Sequence, residues 1–206
     1  MKLWHIDSSV LGANSASRKL TAAIVARETR LSPGLEVEYL DLAAAPVAHL
    51  SPAHIGAAFG HPPEHEATLA DIARGQGFID TLFASDIIVI GVPMYNFGLP
   101  TQLKAWADRV LVAGKTFRYG PDGAPIGLTP GGKKVYIAST RGGLYGPGSP
   151  TAALEHQESH LQAMLGFIGL TDVTIYHAEG LAIPDLKAQS IAAAEAEITQ
   201  PVLETV

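Results

Sequence analysis

The sequence predicts an α/β protein whose parallel sheet is covered by helices on both faces. Two observations support this fold class. Short β-rich segments alternate with helical patterns along the chain, which is typical of βαβ units. One of these segments, DIIVIGVP at 86–93, is apolar on both of its alternating faces, as expected for a strand at the centre of a parallel sheet. We therefore predict a single domain over residues 1–206, with five strands in a doubly wound, three-layer arrangement.

The elements follow one another in a regular order. Short runs rich in β-branched and aromatic residues predict strands at 2–6, 35–42, 86–93, 133–139 and 172–178. Helical patterns lie between and after them, at 17–31, 64–84, 100–113, 151–169 and 186–203. Acidic residues alternate with Leu35, Val37 and Tyr39, which indicates an edge strand with one wet face. Pro100 suits the first turn of its helix, where a missing N–H costs nothing. The stretch FRYGPDGAPIGL, 117–128, contains a PDG turn and predicts a small inserted hairpin.

Composition narrows the range of functions. The chain of 206 residues has a net charge of −6 and is 47% hydrophobic and 17% charged, which suits one domain with a well-filled core. No apolar run approaches ~20 residues and the start MKLWHIDSSV lacks a signal-peptide core, so we expect a cytoplasmic protein outside membranes. Scattered basic residues in an acidic chain argue against nucleic acid as a partner. Without cysteine, any redox chemistry must come from a bound cofactor.

Three predicted strands end in loops with an unusual composition. DSSVLGANSASRKL follows the first strand, PMYNFGLP the third and STRGGLYGPGSP the fourth. All three loops are rich in hydroxyl groups, glycine and turn-forming residues. Ligands of doubly wound sheets bind outside the carboxyl ends of the strands. We therefore expect these three loops to form the binding site.

The loop after the first strand has the composition of a phosphate site. Short polar side chains crowd it, at Ser8, Ser9, Asn14, Ser15 and Ser17. At a helix start, such side chains and the free backbone N–H groups suit a phosphate monoester. The GxxxxGK[ST] pattern of nucleoside-triphosphate sites and the GxGxxG pattern of dinucleotide sites are absent. In the alternative interpretation, Ser15 and Ser17 only cap the helix that follows, as serines commonly do.

The other two loops have the composition of a pocket for a flat ring. The backbone amides of Asn96, Phe97, Gly142 and Gly143 can serve as donors at a heteroatom edge, and the glycines allow close approach of the backbone. Apolar and aromatic walls come from Pro93, Met94, Tyr95 and Phe97. A phosphate site beside a flat-ring pocket predicts flavin mononucleotide, FMN, as the cofactor.

These segments together resemble the FMN-dependent NADH–quinone oxidoreductases, also called FMN-dependent NADH–azoreductases, which have a flavodoxin-like fold. SSVLGANSAS is similar to the phosphate loop of that family, and PMYNFGLPTQLKAWADRV to its ring loop and the helix after it. TFRYGPDGAPIGL is similar to the family's hairpin, and TRGG and LGFIGL to its later markers. The resemblance runs from about residue 2 to residue 200 in the same order.

The resemblance implies a set of site residues. It places FMN contacts at Ser9, Ser15, Ala16, Ser17, Met94, Tyr95, Asn96, Phe97, Ser139, Thr140, Arg141, Gly142 and Gly143. It implies a substrate pocket formed by Phe97, Tyr119, Tyr145 and Met164. Some relatives carry histidine in place of Tyr145, and others phenylalanine in place of Met164. No catalytic side chain is implied beyond the flavin itself, with Asn96 and Tyr145 as candidates for tuning it.

The resemblance also implies the reaction and the assembly. NADH would reduce the bound FMN, and a quinone would then take two electrons at the same place, while an azo compound would need two such cycles to become two amines. The preference between NADH and NADPH stays open. The family forms homodimers with the site at the subunit interface. Two alternatives are a flavodoxin-type electron carrier and an FMN-binding regulatory protein, neither of which would turn over NADH.

Other features have simpler interpretations. His156 and His160 are four residues apart, but no third ligand is in view, so we expect no metal site. Asp108 and Arg109 suit structural or exposed ion pairs. Trp106 lies at helical spacing from other apolar residues and is expected in the core.

Overall fold

The computed structural model describes residues 1–61 and 63–200, which fold around one parallel sheet. Its strands are β1 (Lys2–Asp7), β2 (Glu36–Asp41), β3 (Ile87–Pro93), β6 (Lys134–Thr140) and β7 (Asp172–Ala178), and β4 (Phe117–Tyr119) and β5 (Pro125–Gly127) form a separate antiparallel hairpin. The helices are α1 (Ala16–Leu31), α2 (Pro52–Ala58), α3 (Glu66–Ala84), α4 (Thr101–Val110), α5 (Glu158–Phe167) and α6 (Pro184–Thr199). The strand order is β2-β1-β3-β6-β7, with every neighbouring pair parallel. The predicted fold class and the inserted hairpin are confirmed.

Two apolar cores lie on opposite faces of the sheet. One contains residues of α3, α4 and α5, and Trp106 packs against Trp4 there with ring centroids 5.6 Å apart. The other contains residues of α1 and α6, with Leu20 and Ile24 of α1 close to Ile198 of α6. All seven residues of β3 are buried, which confirms that it is the central strand. Within the described part of the chain, no helix is both long enough and apolar enough to cross a bilayer.

Strand β2 lies at the edge of the sheet, as predicted, but its burial does not alternate. Val37 is 43% exposed and Tyr39 is 52% exposed, so the face predicted to be covered is wet. Tyr39 has a polar role instead, because its hydroxyl donates to Asp7 at 3.1 Å and accepts from Arg18 at 2.8 Å. Burial and the nearby Asp7 carboxylate raise the pKa of Tyr39 to about 12.

The helix predicted at 151–169 begins later than expected. A short 3-10 turn, Ala152–Leu154, precedes α5, which starts only at Glu158. The Glu155 carboxylate explains this start, since its Oε1 accepts from the backbone N–H groups of Gln157 and Glu158, each at 2.7 Å. The carboxylate thus takes the place of the missing preceding turn.

Other helix limits differ for local reasons. Helix α4 ends at Val110 rather than at residue 113, because Thr116 Oγ1 donates to the Val110 carbonyl at 2.7 Å and accepts from Val112 N at 3.0 Å. Pro100 is its N-cap. Helix α2 was missed, since it has only seven residues. The predicted end of the last helix, 201–203, lies outside the described residues.

The hairpin packs closely against the end of α5. Thr129 N donates to the Ile168 carbonyl at 3.1 Å, and the rings of Phe117 and Phe167 meet edge to face with centroids 4.6 Å apart. A Cβ atom added at Gly127 would lie 2.4 Å from Gly169 N. Only glycine allows the two backbones to approach in this way.

We expect Gly127→Ala to lower the free energy of unfolding by about 1–3 kcal/mol, the usual cost of overpacking. The control is Gly77→Ala in α3, where an added Cβ meets no atom within 4 Å; it should stabilise the helix by about 0.5–1 kcal/mol. Urea unfolding at equal FMN content measures both. Equal stability of Gly127→Ala and the wild type would contradict the close packing of the hairpin.

Candidate functional site

A cleft at the carboxyl edge of the sheet brings the three predicted loops together. Its volume is about 240 Å³, and its lining residues are Ser9, Leu11, Asn14, Ser15, Ala16, Pro93, Met94, Tyr95, Thr140, Arg141, Gly142, Leu181, Ala182 and Lys187. Eight of these fourteen were predicted as cofactor contacts. The segment that follows β7, which supplies Leu181, Ala182 and Lys187, was missed. It also leaves the carboxyl end of a parallel strand, so the rule that pointed to the other three loops applies to it as well.

The first loop ends in the N-terminus of α1. Ser15 is the N-cap, with its hydroxyl accepting from Arg18 N at 3.4 Å. Ser17 does not cap the helix, because its hydroxyl pairs with that of Ser15 at 3.0 Å. The interpretation as a cap therefore holds for Ser15 and fails for Ser17. The backbone N–H groups of Ala16 and Ser17 have no acceptor among the described residues, and they lie at the positive end of the helix dipole.

A polar network beneath the first loop holds its backbone. Arg18 donates to the Ser9 carbonyl at 2.9 Å and to both oxygens of Asp41 at 2.8 Å. Asp7 is buried and accepts from Thr21 at 2.9 Å. Burial alone would raise the pKa of Asp7, but hydrogen bonds and charge from His5 and bonds from Thr21 and Tyr39 lower it. This network holds the loop backbone through the Ser9 carbonyl and leaves the N–H groups of Ala16 and Ser17 unpaired among the described residues.

The second loop is a tight turn with both central residues in the left-handed region. Tyr95 and Gly98 exchange two backbone hydrogen bonds of 3.1 Å, and φ is 47° at Asn96 and 70° at Phe97. Asparagine tolerates this conformation, whereas for phenylalanine it costs about 1–2 kcal/mol. The N–H groups of these two central residues have no acceptor among the described residues.

The second loop is joined to both of its neighbours. The Tyr95 hydroxyl pairs with Ser9 Oγ at 3.2 Å and accepts from Val10 N at 3.2 Å. On the other side, Met94 N donates to the Thr140 carbonyl at 2.8 Å. The three strand exits therefore form one connected surface.

The third loop is paired along one edge and free along the other. The carbonyls of Arg141, Gly142 and Gly143 accept from the N–H groups of residues 180–182, at 2.9 to 3.1 Å. The N–H groups of Gly142 and Gly143 have no acceptor within the described chain. This arrangement presents two donors on a backbone whose position is fixed.

Gln157, which sequence analysis did not identify, links the second and third loops. Its side chain is fully buried; Nε2 donates to the Val92 carbonyl at 2.5 Å, and Oε1 accepts from Ser139 Oγ at 3.3 Å and from Arg141 Nε at 3.0 Å. The amide thus ties the ends of β3 and β6 together. The hydroxyl of Ser139 is committed to this bond, so its contribution to a ligand would be indirect.

The Arg141 guanidinium is surrounded by carboxylates. It pairs with Glu179 at 2.8 Å, with Glu155 at 3.5 Å and closely with Glu158. Glu179 also accepts from Tyr145 N at 3.1 Å. These acids and His177 line a second cavity of about 440 Å³. Arg141 therefore has a structural role in its loop, because the three carboxylates neutralise its charge.

The predicted substrate-pocket residues form two aromatic groups. Phe97 and Tyr145 meet edge to face with centroids 6.3 Å apart. Tyr119, which is 61% exposed, lies 6.3 Å from the ring of Phe167. Met164 is half-buried on α5 and packs against the core of that face. The hairpin and the ring loop thus each present an exposed aromatic side chain.

No group of three or more metal-binding side chains occurs in residues 1–61 and 63–200. His156 precedes α5 and His160 lies within it, so the two do not share a helix face. Arg109 pairs with Asp71 at 2.8 Å and Asp108 pairs with Lys104. The Arg109 pair is buried and the Asp108 pair is partly exposed, which agrees with the prediction of structural or exposed ion pairs, and Trp106 is buried in the core.

The ion pair of His177 and Glu158, 3.0 Å apart, predicts a pH dependence of stability. The hydrogen bond to Glu158 raises the pKa of His177 above 6.5. Burial alone would raise the pKa of Glu158, but the hydrogen bond and charge of His177 and the charge of Arg141 lower it below 4.5. The stabilisation is therefore complete between these two values, is lost as pH rises through the raised pKa of His177, and is lost as pH falls through the depressed pKa of Glu158.

We expect His177→Gln to destabilise the fold more at about pH 6 than at about pH 9, because only the protonated imidazole forms the ion pair. Urea unfolding of both proteins at the two pH values measures the difference. His160→Gln is the control, since His160 is exposed and forms no ion pair within the described chain. A difference from wild type that does not change with pH would contradict the prediction.

The fold and sequence agree with known proteins. A family model described as flavodoxin-like fold matches residues 1–202. An FMN-dependent NADH:quinone oxidoreductase from Xanthomonas campestris pv. campestris is 54% identical over 200 residues, which cover 96% of this chain and 98% of that protein. FMN-dependent NADH:quinone oxidoreductase 2 from Bradyrhizobium diazoefficiens is 51% identical over 195 residues, 94% of this chain and 95% of the other.

The solved structures agree as well. The crystal structure of an azoreductase from Bacillus anthracis superposes with a TM-score of 0.86 at 28% identity and covers 96% of each chain. Identity above one half over nearly the full length, together with the match to the family model, leaves one assignment. The chain belongs to the flavodoxin-like family of FMN-dependent NADH:quinone oxidoreductases.

Proposed function

We propose that this protein uses NADH to reduce quinones by two electrons through bound FMN, and that it also cleaves aromatic azo compounds. One observation carries the proposal. Six backbone N–H groups without protein acceptors, from Ala16, Ser17, Asn96, Phe97, Gly142 and Gly143, belong to the loops of one cleft. This donor set fits a ligand with an anionic group at one end and a flat heteroaromatic edge at the other.

The phosphate end of FMN fits the first loop. Ala16 and Ser17 would donate their N–H groups, while the hydroxyls of Ser9, Ser15 and Ser17 are buried beside them. Short neutral donors at a helix N-terminus are well suited to a terminal phosphate monoester. Ser15 lines the cleft and also caps the helix, whereas the buried Ser17 hydroxyl would support the phosphate site through its bond to Ser15.

The ring end fits the second and third loops. Gly142 and Gly143 would donate to the oxygen and nitrogen atoms of the pyrimidine edge, where preorganised donors stabilise negative charge. Met94 and Tyr95 would form the wall, and Thr140 lies at the base of the cleft. When bound, FMN supplies two-electron redox chemistry, so the chain has to bind, orient and shield it.

Two exposed aromatic residues suit the binding of aromatic substrates. Phe97 and Tyr119 are 44% and 61% exposed and would provide apolar contact area for a nicotinamide, a quinone or an aromatic azo compound. Tyr145 packs on Phe97 and would orient it. Met164 would be an adaptable wall if the pocket extends to α5. A cytoplasmic location, where NADH is available, suits this reaction.

Steady-state kinetics test the proposal. We expect the purified protein with FMN to oxidise NADH in the presence of benzoquinone, and double-reciprocal lines at several quinone levels to be parallel, because one cleft serves both substrates in turn. Tyr119→Ala should raise the KM for quinone more than it weakens FMN binding. The lost ring contact would stabilise the bound substrate and the transition state equally, so its removal raises KM. Tyr119→Phe, which keeps the ring, is the control.

The rival functions give different results in this assay. An electron carrier or a regulatory protein would bind FMN without steady loss of NADH absorbance. Intersecting lines would show that both substrates bind at once. Loss of FMN in Tyr119→Ala would assign the hairpin to the cofactor instead of the substrate.

We further propose that the protein is a homodimer. The segment from Leu50 to Phe59 follows the carboxyl end of β2, and it exposes Leu50, Ile55 and Phe59, the last to 78%. So much exposed apolar area on a short segment is typical of a surface that is covered in the assembly. A second copy of the chain is the occupant that the family membership favours.

Light scattering tests the assembly. We expect a dimer for the wild type and a monomer for the Ile55→Glu, Phe59→Glu double variant, because dimerisation would bury two negative charges without partners at the interface. Leu31→Glu is the matched control, since Leu31 is exposed at the far end of α1, away from the cleft. A fully active wild-type monomer would contradict a dimer-dependent site.

A further inference from the structure

Lys187 lines the cleft from a helix that sequence analysis did not connect with the site. It lies in the first turn of α6, and the cleft wall includes Lys187 together with Asn14, Ser15 and Ala16. Helices α1 and α6 pack against each other on the same face of the sheet. Both begin at its carboxyl edge, because each follows a strand that ends there. The first turns of the two helices therefore flank the same end of the cleft.

The other cations near this cleft are neutralised by protein groups. Arg18 pairs with Asp41 and Asp7, and Arg141 is surrounded by three glutamates. Lys187 is exposed, and its ammonium group has no hydrogen bond or ion pair within residues 1–61 and 63–200. Asp185 is also in this first turn, but it forms no ion pair with Lys187. The charge of Lys187 is thus available to a ligand.

We propose that the Lys187 ammonium binds the terminal phosphate of FMN and makes the cleft prefer phosphorylated flavin over riboflavin. The inference rests on the proposed function. A phosphate monoester carries about −1.5 to −2 charges at neutral pH. The N-terminus of α1 supplies neutral donors and roughly half a positive charge, so a phosphate there still needs a full countercharge. Lys187 provides it from the facing helix.

The properties of lysine suit this role. Its compact charge sits on a flexible four-carbon stem, so the ammonium group can reach the phosphate after the flavin has entered the cleft. Both partners of this contact carry a charge, whereas only the phosphate is charged in the hydrogen bonds from the serines. The contact remains sensitive to salt because Lys187 is exposed.

Titration of the flavin-free full-length protein tests the inference. Quenching of flavin fluorescence gives the Kd of FMN and of riboflavin for the wild type, Lys187→Gln, Lys19→Gln and Ser17→Ala. We expect Lys187→Gln to weaken FMN binding about 10-fold, the effect of one charge-assisted contact, with riboflavin binding unchanged. Raised salt should weaken FMN binding less in Lys187→Gln than in the wild type.

The other variants calibrate the result. Lys19 is exposed on α1 near the phosphate loop but does not line the cleft, so Lys19→Gln measures the effect of net charge alone and should change FMN binding less than about twofold. Ser17→Ala removes the hydroxyl that pairs with Ser15 in the phosphate loop without removing the N-cap, and it should weaken the binding of FMN more than that of riboflavin. Circular dichroism shows whether each variant is folded.

Each outcome bears on a different claim. Unchanged FMN affinity in Lys187→Gln overturns the inference, and so does an equal loss for FMN and riboflavin, which would place Lys187 at the ring or the ribityl chain. An equal effect of Lys19→Gln would attribute the loss of FMN affinity to net charge alone and would also overturn the inference. Failure of the wild type to bind FMN would instead refute the proposed function itself.

Discussion

The site depends on one constraint: several backbone N–H groups of the cleft loops have no acceptor among the described residues and must yet keep their positions. Unpaired groups do not hold themselves in place, so the opposite edge of each loop is hydrogen-bonded instead. Arg18 holds the Ser9 carbonyl, Tyr95 and Gly98 close the ring-loop turn, and residues 180–182 bind the carbonyls of 141–143. Much of the polar structure at this edge of the sheet is explained by this requirement.

Meeting the constraint has a cost in stability. Phe97 adopts a left-handed conformation, and Arg141 is buried among three carboxylates. Buried ion pairs seldom stabilise more than apolar packing would, but removing one partner leaves an uncompensated charge. Such groups fix geometry more effectively than they add stability. Their concentration where β3 and β6 end therefore marks the place where geometry matters most.

Local sequence patterns predicted the strands and three of the loops at the site. Apolar periodicity revealed the five strands, and β3 was recognisable because both of its faces are apolar. The three loops were found because strand ends in a parallel sheet converge. Gln157 was not, since its partner Val92 is 65 residues away and nothing around it indicates burial. The conformation of Phe97 was equally hidden, because phenylalanine gives no local signal for a positive φ.

The segment after β7 connects the two ends of the cleft, and this separates its role from those of the other loops. In the proposed mode of FMN binding, the first loop serves the phosphate end and the second serves the ring end. The N–H groups of residues 180–182 bind the carbonyls of 141–143 and so fix the position of the Gly142 and Gly143 donors. Glu179 accepts hydrogen bonds from Arg141 and from Tyr145 N. Lys187 follows in the first turn of α6. A shift of this segment would therefore disturb both ends together. In the proposed binding mode, Gly142 and Gly143 donate to the ring and Lys187 faces the phosphate. The stretch from Glu179 to Lys187 would then link both ends of the site through one continuous backbone.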